Sequence, residues 1–243
     1  MKERIIKDIR IYESSVANIA GNSLPKELGE IFYPTKETIF IAQIIARKLN
    51  ELQFACGDFD HIYINLTTVL AEDKIAVSNR EIDKRIKYVD VGFNPEKVTK
   101  LSDHDKDDFI KKTVFCVLKH ISSGKGEELV QQVEQLINEY GSQIKIHYKT
   151  KETASYKIDI SYQIASAKNG TNVIIDFTDK KNNAQFTGNY KLHFYDDIYC
   201  LIDTLQVAGW KIILKPKKSV TAEMSNKRYK TPVEFNLNEL EKI

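Results

Sequence analysis

The chain has 243 residues, 42% of them hydrophobic and 29% charged, so both a sizeable core and a well-solvated surface are available and a disordered chain is excluded. Thirty-six basic residues stand against 34 acidic ones, a formal net charge of +2. That balance argues against dedicated duplex-DNA binding, which needs a concentrated basic field, but it allows a local basic patch.

Residues 1–34 predict a short helical start and then a loop holding Gly21, Pro25, Gly29 and Pro34. In KETIFIAQIIARKLNEL, Ile41, Ile44, Ile45, Leu49 and Leu52 recur at helical spacing after Thr35, an N-cap residue. Ile39, Phe40 and Ala42 widen the apolar arc, which predicts a buried helix at about 36–52. From His61 the chain alternates: Ile62, Ile64 and Leu66 face one way, His61, Tyr63, Asn65 and Thr67 the other. RIKYVDVGF repeats the pattern, with Val89, Val91 and Phe93 opposite Tyr88, Asp90 and Gly92.

Two helices are predicted next. Ser102 opens an S-x-x-D cap before DKDDFIKKTVFCVLKHI, and GEELVQQVEQLINEY follows Gly124 and stops at Gly141. QIKIHYK, SYKIDISYQIA, NVIIDF, NYKLHFY and WKIILKP read as strands, with turns at Asn169-Gly170, at Asn182-Asn183 and at Gly188-Asn189. DIYCLIDTLQVA reads as a helix closed by Gly209. Strands and helices thus come in blocks, which predicts an α+β protein with largely antiparallel sheets and helices packed on one face. The expected division is an N-terminal α+β unit at 1–141 and a β-rich unit with one helix at 142–243, with the boundary near 141–153. Both halves repeat strand, turn, strand, helix without matching residues, and duplication and chance agreement both fit that order.

Candidate chemistry is sparse. Asp58, Asp60 and His61 crowd into four residues, but along an extended chain the aspartates share a face and the histidine points away, and Gly57-Asp58 is turn chemistry. The acids of SDHDKDD fall in the first helical turn, where the macrodipole favours negative charge, and lack the EF-hand layout. SSGKGEEL has glycines after a helix, whereas a phosphate-binding loop follows a strand. The five histidines form no H-x-H or H-E-x-x-H. Asp176 followed by Asp179-Lys180-Lys181 is a poor match to a nuclease acid set, because the lysine follows its acid directly. Cys56, Cys116 and Cys200 lie far apart without C-x-x-C, which predicts unpaired buried thiols in a reducing compartment. The expectation is therefore no catalytic residue, no metal and no cofactor. The charged start MKERIIKDIR does not read as a secretory signal and no apolar run reaches membrane-span length, so a cytoplasmic location is expected.

Two surfaces remain as binding candidates. With the strands at 61–67 and 85–93 side by side, His61, Tyr63, Asn65, Tyr88 and Asp90 share a polar face, with Asp58 and Asp60 at its mouth. Tyr63 and Tyr88 are its expected aromatic hot spots. The second half adds Lys157, Asp159, Gln163, Lys191, His193 and Tyr195. The other surface is the basic segment at 215–230, where Lys215, Lys217, Lys218, Lys227, Arg228 and Lys230 oppose only Glu223.

In style the whole chain resembles the immunity proteins of bacterial polymorphic-toxin systems. It is an α+β chain rich in Lys, Asn and Ile, with polar sheet faces such as HIYINLT, YVDVGF and SYKIDISYQ. The likeness involves no diagnostic motif and carries over no functional residue. It implies a non-enzymatic cytoplasmic protein whose partner is a protein, a toxin domain, rather than nucleic acid or membrane. The alternative is a nucleic-acid-processing enzyme or metal-dependent hydrolase with an unrecognised site.

Overall fold

The computed structural model describes residues 3–15, 24–164 and 171–243, and the chain divides into two units, Met1–Ile144 and Lys145–Ile243. The class is α+β, in three mostly antiparallel sheets with helices beside them.

In the first unit the alternating apolar residues draw β1 (Asp8–Ser14), β3 (His61–Thr67) and β5 (Ile86–Gly92) together as parallel neighbours. The antiparallel edges are β2 (Lys26–Glu27) beside β1 and β4 (Ile75–Val77) beside β5. The helical start expected before residue 34 is a strand instead. DIRIYES alternates with period two, and pairing with β3 buries Ile9 completely. The return from β1 to β3 runs through α1 (Thr38–Glu51), whose Ala42, Ile44, Ile45, Ala46 and Leu49 are buried, while Ile39 stays exposed. The N-cap position of α1 is Glu37, without a side-chain cap, rather than the expected Thr35; Thr35 stands two residues earlier, and its hydroxyl accepts from the backbone N–H of Glu37 and Thr38 at 3.1 and 3.0 Å.

α2 (Pro95–Val98), α3 (Asp103–Ile121) and α4 (Lys125–Tyr140) complete the unit, with α1 packed on β1, α3 and α4. Asp107 of α3 accepts from the hydroxyls of Thr35 and Thr38 at 2.7 and 2.5 Å, tying the start of α1 to α3. Ser102 caps α3 by accepting from the N–H of Asp105 at 3.2 Å, and α4 stops at Gly141, whose φ of 53° suits glycine. Glu13 is 1% exposed yet fully engaged: its carboxylate accepts from the backbone N–H of Glu30, Ile31 and Phe32 at 2.5, 3.0 and 2.7 Å. It thereby holds the loop that seats Phe32 in the core.

The second unit is antiparallel throughout. β6 (Ile146–Glu152), β7 (Tyr156–Gln163), β8 (Thr171–Asp179) and β9 (Ala184–Leu192) form a meander, and β13 (Glu241–Lys242) adds to β9. Ile158, Ile160, Tyr162, Val173, Ile175 and Phe177 fill its inner face. A second sheet holds β10 (Thr204–Ala208), β11 (Lys211–Lys215) and β12 (Val233–Asn236). The helix expected across DIYCLIDTLQVA is cut short: α5 covers Ile198–Leu201, and β10 begins at Thr204. Ala208 pairs with Lys211 across Gly209-Trp210, so Gly209 (φ 60°) turns a tight hairpin rather than closing a helix. The turn expected at Gly188-Asn189 is strand as well, paired with β8; a Cβ on Gly188 would lie 2.5 Å from Leu240, so glycine there admits a packed side chain. The Asn182-Asn183 turn is present, and Asn169-Gly170 lies outside the described residues. α6 (Val220–Asn226) follows β11.

The shared order of strands and helices in the halves does not extend to strand direction. β3 and β5 run parallel, whereas β7 and β8 run antiparallel.

Candidate binding faces

The β3–β5 register sets Tyr63 beside Tyr88 and Asn65 beside Asp90, as side-by-side strands require. β1 adds Arg10 beside Tyr63 and Tyr12 beside Asn65. The rings form a chain: Tyr12 to Tyr63 at 5.2 Å, then Tyr63 to Tyr88 edge-to-face at 5.5 Å. Arg10 lies 5.5 Å over Tyr63, and Arg80 lies 5.7 Å over Tyr88.

This face is closed, contrary to the expectation of an open platform. Tyr63 is 9% exposed, Tyr88 and Asn65 are each 1%, and Arg80, from the segment after β4, is itself buried against them. Arg80 and Asn65 both donate to Asp90 Oδ1, at 3.0 and 2.7 Å. Burial pushes the Tyr63 and Tyr88 hydroxyls above the ordinary tyrosine range. Among the described residues the Tyr88 hydroxyl and Asn65 Oδ1 have no hydrogen-bond partner. Nothing in the local sequence marked Arg80, because an arginine in a polar turn reads as solvated until the strands beneath it are known.

Asp58, Asp60 and His61 separate. Asp58 is exposed, while Asp60 is buried and accepts from Lys7 Nζ at 2.9 Å. His61 Nδ1 lies 2.6 Å from the other Asp60 oxygen, so the two side chains meet although the strand pattern pointed them apart. Asp60 precedes β3, and its backbone is not yet extended. Burial pushes the Asp60 carboxyl up, but hydrogen bonds from Lys7 and His61 outweigh it and hold the group below the ordinary aspartate value.

The outer face of β6–β9 is different. One row runs Thr150, Asp159, Asp176, Thr187 in register across the four strands. Side-chain exposure is 32% at Asp159 and 37% at Asp176. Lys157 pairs with Asp159 at 2.7 Å, Thr150 donates to Asp159 at 2.6 Å and Thr187 to Asp176 at 2.8 Å. Lys180 meets Glu152 at 2.6 Å. Gln163 and Lys191 share this face across Asn172, while His193 and Tyr195 lie past the end of β9.

The comparisons return nothing: no protein-family model, no curated protein and no solved structure matches this chain.

The remaining clusters are internally engaged. Asp103 faces Lys106 at 3.6 Å, Asp108 faces Lys111 at 2.8 Å, and Asp105 accepts from the Ser102 hydroxyl at 2.6 Å. The hydrogen bond from Lys111 holds the Asp108 carboxyl below its ordinary range. Asp176 and Asp179 are three apart on a strand and so face opposite sides, which disperses the nuclease-like set. Among the described residues no group of three or more His, Cys, Asp or Glu is placed to hold a metal ion, and no helix is long and apolar enough to cross a membrane. The cysteines are unpaired but half-buried rather than fully buried. Burial pushes the Cys56 thiol to about 12, which leaves it a poor nucleophile.

Proposed function

We propose that the chain is a non-catalytic binding protein that neutralises a protein toxin of its own bacterial system, and that the outer face of β6–β9 is the contact surface. The observation that carries this reading is the in-register row Thr150, Asp159, Asp176, Thr187. It is pinned by the apolar inner face, because a one-residue slip would turn Ile158, Ile160 and Tyr162 to water. A face held in one register presents its charges with a reduced ordering cost on binding. The alternation of Lys157, Asp159 and Asp176 suits partner selection by charge complementarity. The buried tyrosine face of the first unit contributes stability instead.

The test is co-expression with the product of the neighbouring gene, which this reading expects to carry a toxic domain. The expected result is restored growth and a co-purifying complex. The double variant Asp159→Lys with Asp176→Lys should weaken that complex by about tenfold or more, roughly 1.4 kcal/mol, with an unchanged fold. Absence of both rescue and complex would refute the inhibitor reading. Nuclease or hydrolase turnover by the purified chain, abolished by Asp176→Ala, would establish the enzymatic alternative.

A further inference from the structure

The basic segment of the second unit has a built shape as well as a charge. Lys215, Lys217, Lys218, Lys227, Arg228 and Lys230 are all exposed. Within it α6 exposes Val220 by 75% and Met224 by 65%, one turn apart on the same side of the helix, with Lys227 following on that side. A merely solvated loop has no reason to hold two large apolar side chains outward at helical spacing.

The segment is also anchored. Ala222 and Asn226 are buried on the opposite side of α6, and Asn226 Nδ2 donates to the carbonyl of Cys200 at 3.1 Å. The N–H of Lys217 donates to the same carbonyl at 2.8 Å, and Ser219 caps the helix through the N–H of Ala222 at 3.2 Å. Tyr229 donates to the buried Asp197 carboxylate at 2.5 Å, and Arg228 lies 3.7 Å from that group and 4.8 Å over Phe194. Among the described residues Lys217, Lys218 and Lys227 make no salt bridge, so their charge is directed outward. Glu223 is the single acid on the segment.

We infer that α6 and its flanks are a docking surface for an acidic surface of a partner protein. Val220 and Met224 form its apolar centre, and Lys217, Lys218, Lys227 and Arg228 its charged rim. An apolar centre inside a polar rim is the anatomy of a protein–protein contact. Duplex and single-stranded nucleic acids are held by phosphate contacts and stacked aromatics, and the aromatic rings at this patch are already engaged: Phe194 carries Arg228 on it, and Tyr229 packs against Tyr190 and His193. The acidic partner is required by charge complementarity, and the patch serves that role whether or not the β6–β9 face binds a toxin.

The probe is a synthetic acidic amphipathic peptide, a leucine stripe flanked by Glu and Asp, titrated into the full chain and followed by residue-resolved NMR. Its basic counterpart, a single-stranded oligonucleotide and phosphatidylglycerol vesicles run in parallel. The expected result is saturable binding of the acidic peptide alone, with shifts centred on Val220 and Met224. Affinity should fall roughly tenfold or more in the variant Lys217→Glu, Lys218→Glu, Lys227→Glu, and fall also in Val220→Ser, Met224→Ser. All five positions are exposed, and circular dichroism confirms that the variants stay folded. Absence of saturable binding, shifts elsewhere on the chain, or indifference to both variants overturns the inference. So does tighter binding of the oligonucleotide or the vesicles through the same residues, which would give the patch to that ligand.

Discussion

HIYINLT on β3 and YKIDISYQ on β7 are written in the same alternation, an apolar residue at every second position. Yet Tyr63 is 9% exposed, whereas the Asp159 side chain is 32% exposed. Alternation assigns residues to a face; it does not say whether the face meets water. On β3 the polar side lies under Arg80, so its rings pack on one another and Asp90 is paired, while the Tyr88 hydroxyl and Asn65 Oδ1 are buried without a hydrogen-bond partner among the described residues. On β7 both neighbours are antiparallel partners in a meander, and the charges pair sideways along an outer surface. The same local code yields a polar core layer in one unit and a half-exposed charged face in the other.

The largest effects should come from opening the closed face. Arg80→Ala removes a buried guanidinium and leaves the half-buried Asp90, its side chain 15% exposed, with Asn65 as its remaining side-chain donor among the described residues, and should cost about 3–5 kcal/mol in urea unfolding. Tyr88→Ala should cost a similar amount, about 3–5 kcal/mol, by emptying a site 1% exposed. Tyr88→Phe sharpens the point: its hydroxyl has no hydrogen-bond partner among the described residues, so removing it should be neutral or stabilising. A large loss in Tyr88→Phe would mean that the hydroxyl is engaged.

Glu13→Gln is expected to cost about 1–3 kcal/mol, because an amide offers one acceptor oxygen to three backbone N–H groups that the carboxylate now serves with two. A smaller change would show that the loop at 30–32 is held by Phe32 packing alone.

Asp60 makes the comparison pH-dependent. Its carboxyl is held below the ordinary value in the folded chain, so between the folded and unfolded values the unfolded chain binds more protons. The stabilisation is fully present above about pH 3.9 and is lost as pH falls through the folded value. Asp60→Asn should therefore flatten this part of the acid limb of stability against pH; an unchanged limb would break the assignment.

The smallest effect belongs to the outer face. Lys157→Ala removes a partly exposed pair with Asp159 and should change stability by no more than about 0.5 kcal/mol. A loss comparable to that of Arg80→Ala would erase the distinction between the two faces.

The amino-acid order determined the local pieces. The apolar spacing after Thr35 specified α1, Ser102 and Gly141 fixed helix ends, and period-two alternation located β3, β5 and β7, because each of these rests on contacts within a few residues. Where short runs satisfy two periods, local reading failed: β1 read as helix and β10 as a helix end, and each became a strand through pairing with a partner elsewhere in the chain. Only tertiary structure decided the fate of the candidate site. Whether Tyr63, Asn65 and Tyr88 meet a partner or one another depends on β1 joining β3 in parallel and on Arg80 folding back over them. Those contacts join residues distant in sequence, and no spacing within HIYINLT encodes them.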